Sequence, residues 1–274
     1  MSRLFPLVLG AAAAVTLAFL VVPVVAIVLR VSPATVIASL GSGAARDALV
    51  VTLETSLVAQ LPIVVLGTPT AYLLATGRFR GRSVAITLVE LPLVLPPAVA
   101  GIGLLATFGR VGILGGAVDV LGLQLAFTRA AVVMAVVFVA GPFYVRTAVA
   151  AFGAVDPSLA EAARTLGAGP ARTFARVALP LALNGLGAGL ALSFARGLGE
   201  FGATIMFAGS LQGVTQTLSL AVYEQFDVDF DTALAIGAEL VAVSAAVLLL
   251  VKVIPSWRST SLLPTASEIG RAHV

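Results

Sequence analysis

Several ionisable side chains lie within long apolar stretches of the sequence, where a charge is costly unless it has a partner. The carboxylates among them are Glu54, Glu90, Glu200 and Glu239, and they form no paired motif typical of acid–base catalysis. The chain has no cysteine, and its one histidine, His273, is the penultimate residue. Thiol chemistry, disulfides and a histidine metal site are therefore excluded, and an intramembrane enzyme has no recognisable catalytic residues here.

Arg196 and Glu200 are four residues apart in an apolar stretch, so they share one face of a helix and can form an ion pair. Two charges at the centre of a bilayer cost about 5–7 kcal/mol, whereas the leucine, isoleucine and phenylalanine residues of 181–207 return about 3–6 kcal/mol. The pair must therefore face the bundle interior, a water-filled path or the outer boundary. Two interpretations follow: a gate or pathway element that includes the adjacent Phe201, or a pair that fixes helix packing.

A second candidate gate element is the pair Pro96 and Pro97, which follows Pro92 in the apolar segment 83–108. Proline removes a backbone donor, and a membrane helix tolerates it where neighbouring groups bond the freed carbonyls. We interpret the resulting kink mainly as a packing feature, with gating as a secondary role.

The sequence contains no nucleotide-binding P-loop. Such a loop requires the pattern Gly-x-x-x-x-Gly-Lys-Ser/Thr, and the one lysine, Lys252, is followed by Val253. If this chain takes part in ATP-driven work, another chain must bind the ATP and Mg²⁺, and we expect no cofactor in this one. The net charge of +3 favours arginine-rich cytoplasmic loops over nucleic-acid binding.

Transmembrane helices are the elements that carry these residues. Hydrophobic residues make up 59% of the 274 and charged residues 11%, against about 25% charged in soluble domains. Six apolar runs are each long enough to cross a hydrocarbon core of about 30 Å. The sequence therefore predicts an all-α polytopic membrane protein with six transmembrane helices, at 6–29, 48–76, 83–108, 129–151, 181–207 and 232–254.

Residues 1–255 are predicted to form a single transmembrane domain, and residues 256–274 a short polar tail. The first apolar run is longer than that of a cleaved signal peptide, so we expect an uncleaved helix. The closing EIGRAHV resembles translated sequencing-adapter readthrough, and we leave it out of functional reasoning together with His273.

The basic residues predict that both termini are cytoplasmic, since ten of them then lie inside or at the inner boundary and four lie outside. The outer loop 208–231 then carries an acidic cluster, and its stretch TQTLSLAVYEQF predicts a short amphipathic helix. The inner set is Arg3, Arg78, Arg80, Arg82, Arg146, Arg164, Arg172, Arg176, Lys252 and Arg258, and the outer set is Arg30, Arg46, Arg110 and Arg129.

With this orientation, residues 152–180 form a cytoplasmic loop that contains its own short helix. Asp156 can cap the helix, Pro157 suits its first position, and Ser158 with Glu161 offers an alternative capping box. Gly167 suits a left-handed residue at the C-terminal end. A second short helix is expected to begin near residue 170 and to enter the membrane at residue 180.

The first helix has one small apolar face, and Glu161 can pair with Arg164 on its flank. A helix resting on lipid headgroups would carry bulky apolar residues and lysine, whereas an alanine-rich face favours docking into a groove of a partner protein. The face consists of Leu159, Ala162, Ala163 and Leu166.

This loop resembles the signature loop of permease subunits of bacterial ATP-binding-cassette (ABC) importers. The matching residues are Glu161-Ala162-Ala163, then Gly167, then Val177-Ala178-Leu179-Pro180, with valine where isoleucine is commoner. The resemblance implies a type I importer permease fold with a cytoplasmic coupling helix that seats in a cleft of a separate ATPase subunit. It assigns the coupling role to Glu161, Ala162, Ala163, Gly167, Val177, Leu179 and Pro180.

Two further stretches, residues 91–115 and 193–223, are similar to molybdate-transport permeases, above all in the run Gly-Glu-Phe-Gly-Ala-Thr-x-Met-Phe-Ala-Gly. Sulfate and tungstate permeases share the signature loop and a related Glu-Phe-Gly segment. The resemblance therefore implies an oxyanion importer, with molybdate favoured and sulfate, thiosulfate or tungstate as alternatives. It also implies a homodimer in the bacterial inner membrane, two ATPase subunits and an extracytoplasmic binding protein.

An ion-gradient-driven secondary transporter is the alternative of another class. Such transporters usually show internal repeats and paired broken helices. We find no convincing repeat between the two halves of the sequence, and this alternative leaves the signature loop unexplained.

Overall fold

The computed structural model describes residues 4–259, and every regular element in that range is helical. The predicted readthrough peptide and His273 lie outside the described residues. The elements are α1 (Leu4–Arg30), α2 (Pro33–Gly41), α3 (Gly43–Thr76), α4 (Arg82–Val94), α5 (Pro97–Phe108), α6 (Gly115–Val120), α7 (Arg129–Gly153), α8 (Pro157–Thr165), α9 (Pro170–Thr173), a π-helical turn (Phe174–Ala178), α10 (Leu179–Leu198), α11 (Gly202–Ala208), α12 (Leu218–Phe226) and α13 (Phe230–Ser259).

Five helices of the described chain are long and apolar enough to cross a membrane, and α4 with α5 makes a sixth span if the bent pair is counted as one. Four of the five are α1, α3, α7 and α13, and the fifth is the continuous helix from Pro170 to Leu198. The predicted spans 6–29, 48–76, 129–151 and 232–254 lie within these helices. The short helix predicted in the outer loop is confirmed as α12.

The third predicted span, 83–108, consists of two helices, and the bend between them is sharper than the kink predicted from the sequence. The axes of α4 and α5 differ by 113°. Pro96 immediately precedes α5 and Pro97 is its first residue, a position where the missing N–H costs no helical hydrogen bond. The proline pair therefore begins a new helix at the turn and does not lie inside a bent one.

The fifth predicted span, 181–207, is wrong at its C-terminal end, whereas the short helix predicted to begin near residue 170 and to lead into this span is confirmed. The helix begins at Pro170, because α9, the π-helical turn and α10 follow without a gap, and it ends at Leu198. Three non-helical residues, 199–201, then separate α10 from α11, which starts at Gly202. We call these three residues the break. Glu200 consequently lies in this break and not on the same helix as Arg196.

Helix α7 lies at the centre of the bundle and packs along α3 and α10. Three glycines of α10 permit this approach, since a Cβ added at any of them would meet α7 within about van der Waals distance or closer. Gly185 lies against Ala151, Gly189 against Thr147 and Gly197 against Val136.

Helices α5 and α11 also pack at close range and start at the same level. Gly202 lies against Pro97, and Gly101 lies against Ala203 and Met206. Both sequence stretches that are similar to molybdate-transport permeases therefore meet along this pair of helices. Together with α7 they enclose a buried apolar cluster that includes Leu104, Val132 and Phe207.

Gly101→Ala is expected to destabilise the protein by about 1–3 kcal/mol, because overfilling a packed site forces the backbone to shift. A Cβ at Gly101 would lie 2.6 Å from the carbonyl oxygen of Ala203. Gly103→Ala on the same helix is the matched control, since its Cβ would meet nothing within 4 Å. Equilibrium unfolding in mixed micelles measures both variants, and equal stabilities would show that the α5–α11 contact is not tight.

Candidate functional site

Helix α8, in the loop between α7 and the next membrane helix, begins at a side-chain cap. Asp156 precedes the helix, and its Oδ1 accepts a hydrogen bond from the backbone N–H of Ser158 at 2.9 Å. This backbone hydrogen bond, with a smaller contribution from the Ser158 side chain, lowers the pKa of Asp156. The Asp156 carboxylate is therefore ionised at neutral pH, and its negative charge also interacts favourably with the positive N-terminal end of the helix dipole. The alternative capping box of Ser158 and Glu161 is not the one used.

Gly167 ends α8 in a Schellman motif, as its position in the sequence predicts. Its φ is +85°, a left-handed conformation that glycine adopts without a steric penalty. The N–H of Gly167 donates to the carbonyl of Arg164 at 2.9 Å, and the N–H of Ala168 donates to the carbonyl of Ala163 at 3.0 Å. These two bonds satisfy carbonyls that the helix end would leave unpaired.

The apolar face of α8, which Leu166 extends at the C-terminal cap, exposes two leucines. Leu166 is 88% exposed and Leu159 is 46% exposed, while Ala162 is exposed and Ala163 is half-buried. Helix α8 packs on α9 and the π-helical turn, and because Ala163 is half-buried, the exposed apolar face is narrower than predicted. No ion pair joins Glu161 and Arg164 in the part of the chain that the structure describes.

The end of the signature loop lies in the π-helical turn and the start of α10. Val177 and Leu179 are half-buried and Pro180 is exposed. Leu179 packs against the apolar cluster formed by α3, α7 and α10. Its N–H donates to the carbonyl of Phe174, five residues earlier, which is the hydrogen bond that defines a π-helix. The loop is therefore continuous with a membrane helix.

The second group of candidate residues lies at the break between α10 and α11. Nη2 of Arg196 is 2.9 Å from Oε2 of Glu200, so the predicted ion pair is present, although this contact lacks hydrogen-bond geometry. Oε1 of Glu200 accepts a hydrogen bond from the N–H of Ala203 at 2.8 Å. The Glu200 side chain is 1% exposed and that of Arg196 is 28% exposed. One carboxylate thus holds both sides of the break.

The other members of this group lie near the same break. Gly202 contacts Pro97 at the start of α5, so the proline pair and the break adjoin each other. The ring of Phe201 lies 5.0 Å from that of Tyr223 on α12. Helix α10 has 20 residues and a rise of about 1.5 Å per residue, so the break and the signature loop are about 30 Å apart at its two ends.

The remaining acids of the apolar stretches each have a partner. Glu90 lies 3.8 Å from Arg146, and Glu239 is buried and accepts a hydrogen bond from Ser39. Glu54 pairs with Arg129, which also donates to the carbonyl of Gly213 at 2.9 Å. Through these two contacts, Arg129 at the start of α7 joins α3 to the segment before α12. Sequence reasoning missed the pair of Glu54 and Arg129, because partners 75 residues apart leave no spacing signal.

The chain is similar in sequence to known membrane-transport proteins. The family model described as "Binding-protein-dependent transport system inner membrane component" matches residues 63–258. The molybdenum transport system permease protein ModB of Mycobacterium tuberculosis is 43% identical over 231 residues, which cover 84% of this chain and 88% of that protein. The corresponding protein of Escherichia coli K12 is 41% identical over 178 residues, or 65% of this chain and 78% of that protein.

Solved ABC importers share the fold. A bacterial importer of the acidic polysaccharide alginate has a TM-score of 0.73 at 18% identity and covers 92% of this chain and 94% of its own. The inward-facing methionine importer MetNI has a TM-score of 0.60 at 19% identity, and the match covers 81% of this chain and 97% of the MetNI chain. The type I importer permease fold is therefore confirmed, in a multi-pass protein of the cell membrane. The chain belongs to the family of binding-protein-dependent transport system inner membrane components.

Proposed function

We propose that this chain is the permease subunit of an ATP-driven molybdate importer. Two copies form the translocation path, two ATPase subunits bind at the cytoplasmic side, and an extracytoplasmic binding protein delivers the anion. The molybdenum transport permeases of M. tuberculosis and E. coli, at 43% and 41% identity, support molybdate as the cargo. ATP and Mg²⁺ bind to the ATPase subunits, so this chain needs no cofactor of its own.

The observation that carries the proposal is the exposed apolar face of α8. A helix in a loop between membrane spans, capped at both ends and presenting Leu159 and Leu166, is suited to a groove in another protein. The shape of the docking surface is fixed by Glu161, Ala162 and Gly167. The docking surface is connected to the membrane helix by Ala163, Val177, Leu179 and Pro180. Docking here requires the N-terminus and C-terminus to be cytoplasmic.

The break at Arg196 and Glu200 supplies a candidate gate. When ATP binding closes the two ATPase subunits, the α8 helices move with them and the permease halves rock from inward-facing to outward-facing. Residues at a helix break absorb such movement more readily than residues inside a helix. Phe201 lies in the same break, and Pro96 and Pro97 adjoin it at the start of α5 and move with it. The same five residues also fix packing, which is compatible with a gate.

The test is ATP hydrolysis and anion uptake in proteoliposomes that hold this permease and its ATPase subunit. Binding protein is added empty, then loaded with molybdate, tungstate or sulfate. Stimulation selective for molybdate is expected. Greater stimulation by sulfate or tungstate would keep the permease assignment and replace the cargo. Uptake that runs on an ion gradient without the ATPase subunit would instead favour a secondary transporter, although the family match argues against one.

A further inference from the structure

Three aromatic rings join the signature loop to two membrane helices. Phe174 of the π-helical turn lies 4.8 Å from Tyr72 of α3, with the ring planes at 60°. It lies 6.1 Å from Phe152 of α7, and Tyr72 and Phe152 are 5.3 Å apart at 74°. Two of these three contacts have the edge-to-face geometry that aromatic pairs prefer. We call Tyr72, Phe152 and Phe174 the aromatic triad.

The triad lies in the route from α8 to the bundle. Helix α8 packs on α9 and the π-helical turn, so a force on α8 reaches this turn first. Phe152 is 2% exposed, and Phe174 and Tyr72 pack against the same buried cluster as Ala178 and Leu186 of the continuous helix. Because this region is close-packed, the three rings must move together or separate.

The π-helical turn decides which side chain enters the triad. Pro180 has no N–H to donate to the carbonyl of Arg176, and its ring crowds that carbonyl in a regular α-helix. The chain accommodates it with one wider turn, in which Leu179 bonds to Phe174 instead. Since an α-helix rotates by about 100° per residue, the extra residue reorients everything before it relative to α10. Phe174 thereby points at Tyr72 and Phe152.

We infer that Phe174 is a positioning residue that transmits movement of α8 to α3 and α7, and that Pro180 sets its direction through the π-helical turn. This inference rests on the proposed function, because it assumes that α8 is driven by an ATPase subunit. According to this inference, the proline of the signature loop orients the side chain of Phe174 in addition to ending the loop.

The test measures anions transported per ATP hydrolysed in proteoliposomes with the ATPase subunit and loaded binding protein. Phe174→Ala leaves the α8 surface intact, so the ATPase subunit should co-purify at the wild-type ratio and hydrolyse ATP. Transport per ATP should fall at least fivefold. Phe174→Tyr restores a ring and should recover at least half of the ratio. Phe174→Leu keeps apolar bulk without a ring edge, and it provides the comparison if the alanine variant does not insert.

The matched control is Phe138→Ala, which removes a half-buried ring from α7 next to a different apolar cluster. This control is expected to lower stability and to keep the wild-type transport per ATP. A wild-type ratio in both Phe174→Ala and Phe174→Leu would overturn the inference, as would loss of the ATPase subunit on purification, since the triad would then only hold α8 in place. Wild-type protein without binding-protein-dependent uptake would overturn the proposed function itself, and this inference with it.

Discussion

Gly167→Val is expected to uncouple transport while the permease still inserts in the membrane and forms the proposed dimer. The φ of +85° at this position is a genuine outlier for a β-branched residue, and holding it costs about 1–3 kcal/mol. The Schellman bonds to Arg164 and Ala163 would then break, and the last turn of α8 would lose its shape. An energy of that size corresponds to about a 5- to 150-fold loss in an equilibrium such as ATPase docking.

The design separates backbone conformation from bulk. A Cβ at Gly167 would meet nothing within 4 Å, so the variant acts through φ and not through a clash. Gly169→Ala is the matched control, because Gly169 has an ordinary φ of −68° and equally open surroundings. Gly167→Asn should be milder than Gly167→Val, since asparagine tolerates the left-handed region. Molybdate uptake and ATPase co-purification are measured for all three, and normal uptake by Gly167→Val at normal expression would remove the coupling role.

Glu200→Ala is expected to be the most destabilising substitution at the break. It removes the buried carboxylate that pairs with Arg196 and bonds the N–H of Ala203. Breaking one side of a buried pair costs about 3–5 kcal/mol. The value should lie near 3 kcal/mol here, because Arg196 is 28% exposed and can regain some hydration. Equilibrium unfolding in mixed micelles gives the free energy of unfolding directly.

Two comparison variants make the Glu200 result specific. Glu200→Gln keeps an acceptor for Ala203 and loses the charge, so it should fall between wild type and Glu200→Ala. Glu90→Ala removes a 43% exposed carboxylate that lies 3.8 Å from Arg146, and a pair of that kind contributes at most about 1 kcal/mol. Equal stabilities of Glu200→Ala and Glu90→Ala would show that the carboxylate at the break does not hold α10 and α11 together.

The sequence predicts the signature loop better than any other part of this molecule. Asp156, Pro157 and Gly167 act through their own backbone neighbourhood, so residue type and spacing were sufficient to place both ends of α8. Apolar length was likewise sufficient to place four of the spans, because a bilayer demands a run of about 20 apolar residues. The roles proposed for the coupling and gate residues stay predictions.

The break after Leu198 could not be predicted, because its cause is tertiary. Residues on both sides are apolar, and Phe201 adopts φ −130° and ψ −57° next to Gly202, which packs on Pro97 from a distant part of the sequence. The π-helical turn was missed for a related reason. Pro180 indicates that the helix is irregular near this position. The form of the irregularity, a π-helical turn, becomes clear only from the packing of Phe174 against Tyr72 and Phe152.

The glycines of α10 have a practical consequence for watching this protein work. Helix α7 leaves no room for a side chain at Gly185, Gly189 or Gly197. A Cβ added at Gly187 or Gly199 would meet nothing within 4 Å. Gly187→Cys and Gly199→Cys therefore offer sites for spin labels, in a chain that has no native cysteine to compete for the label. By electron paramagnetic resonance, a label at position 187 would follow the middle of α10 through a nucleotide cycle, and a label at position 199 would follow the break just after its end.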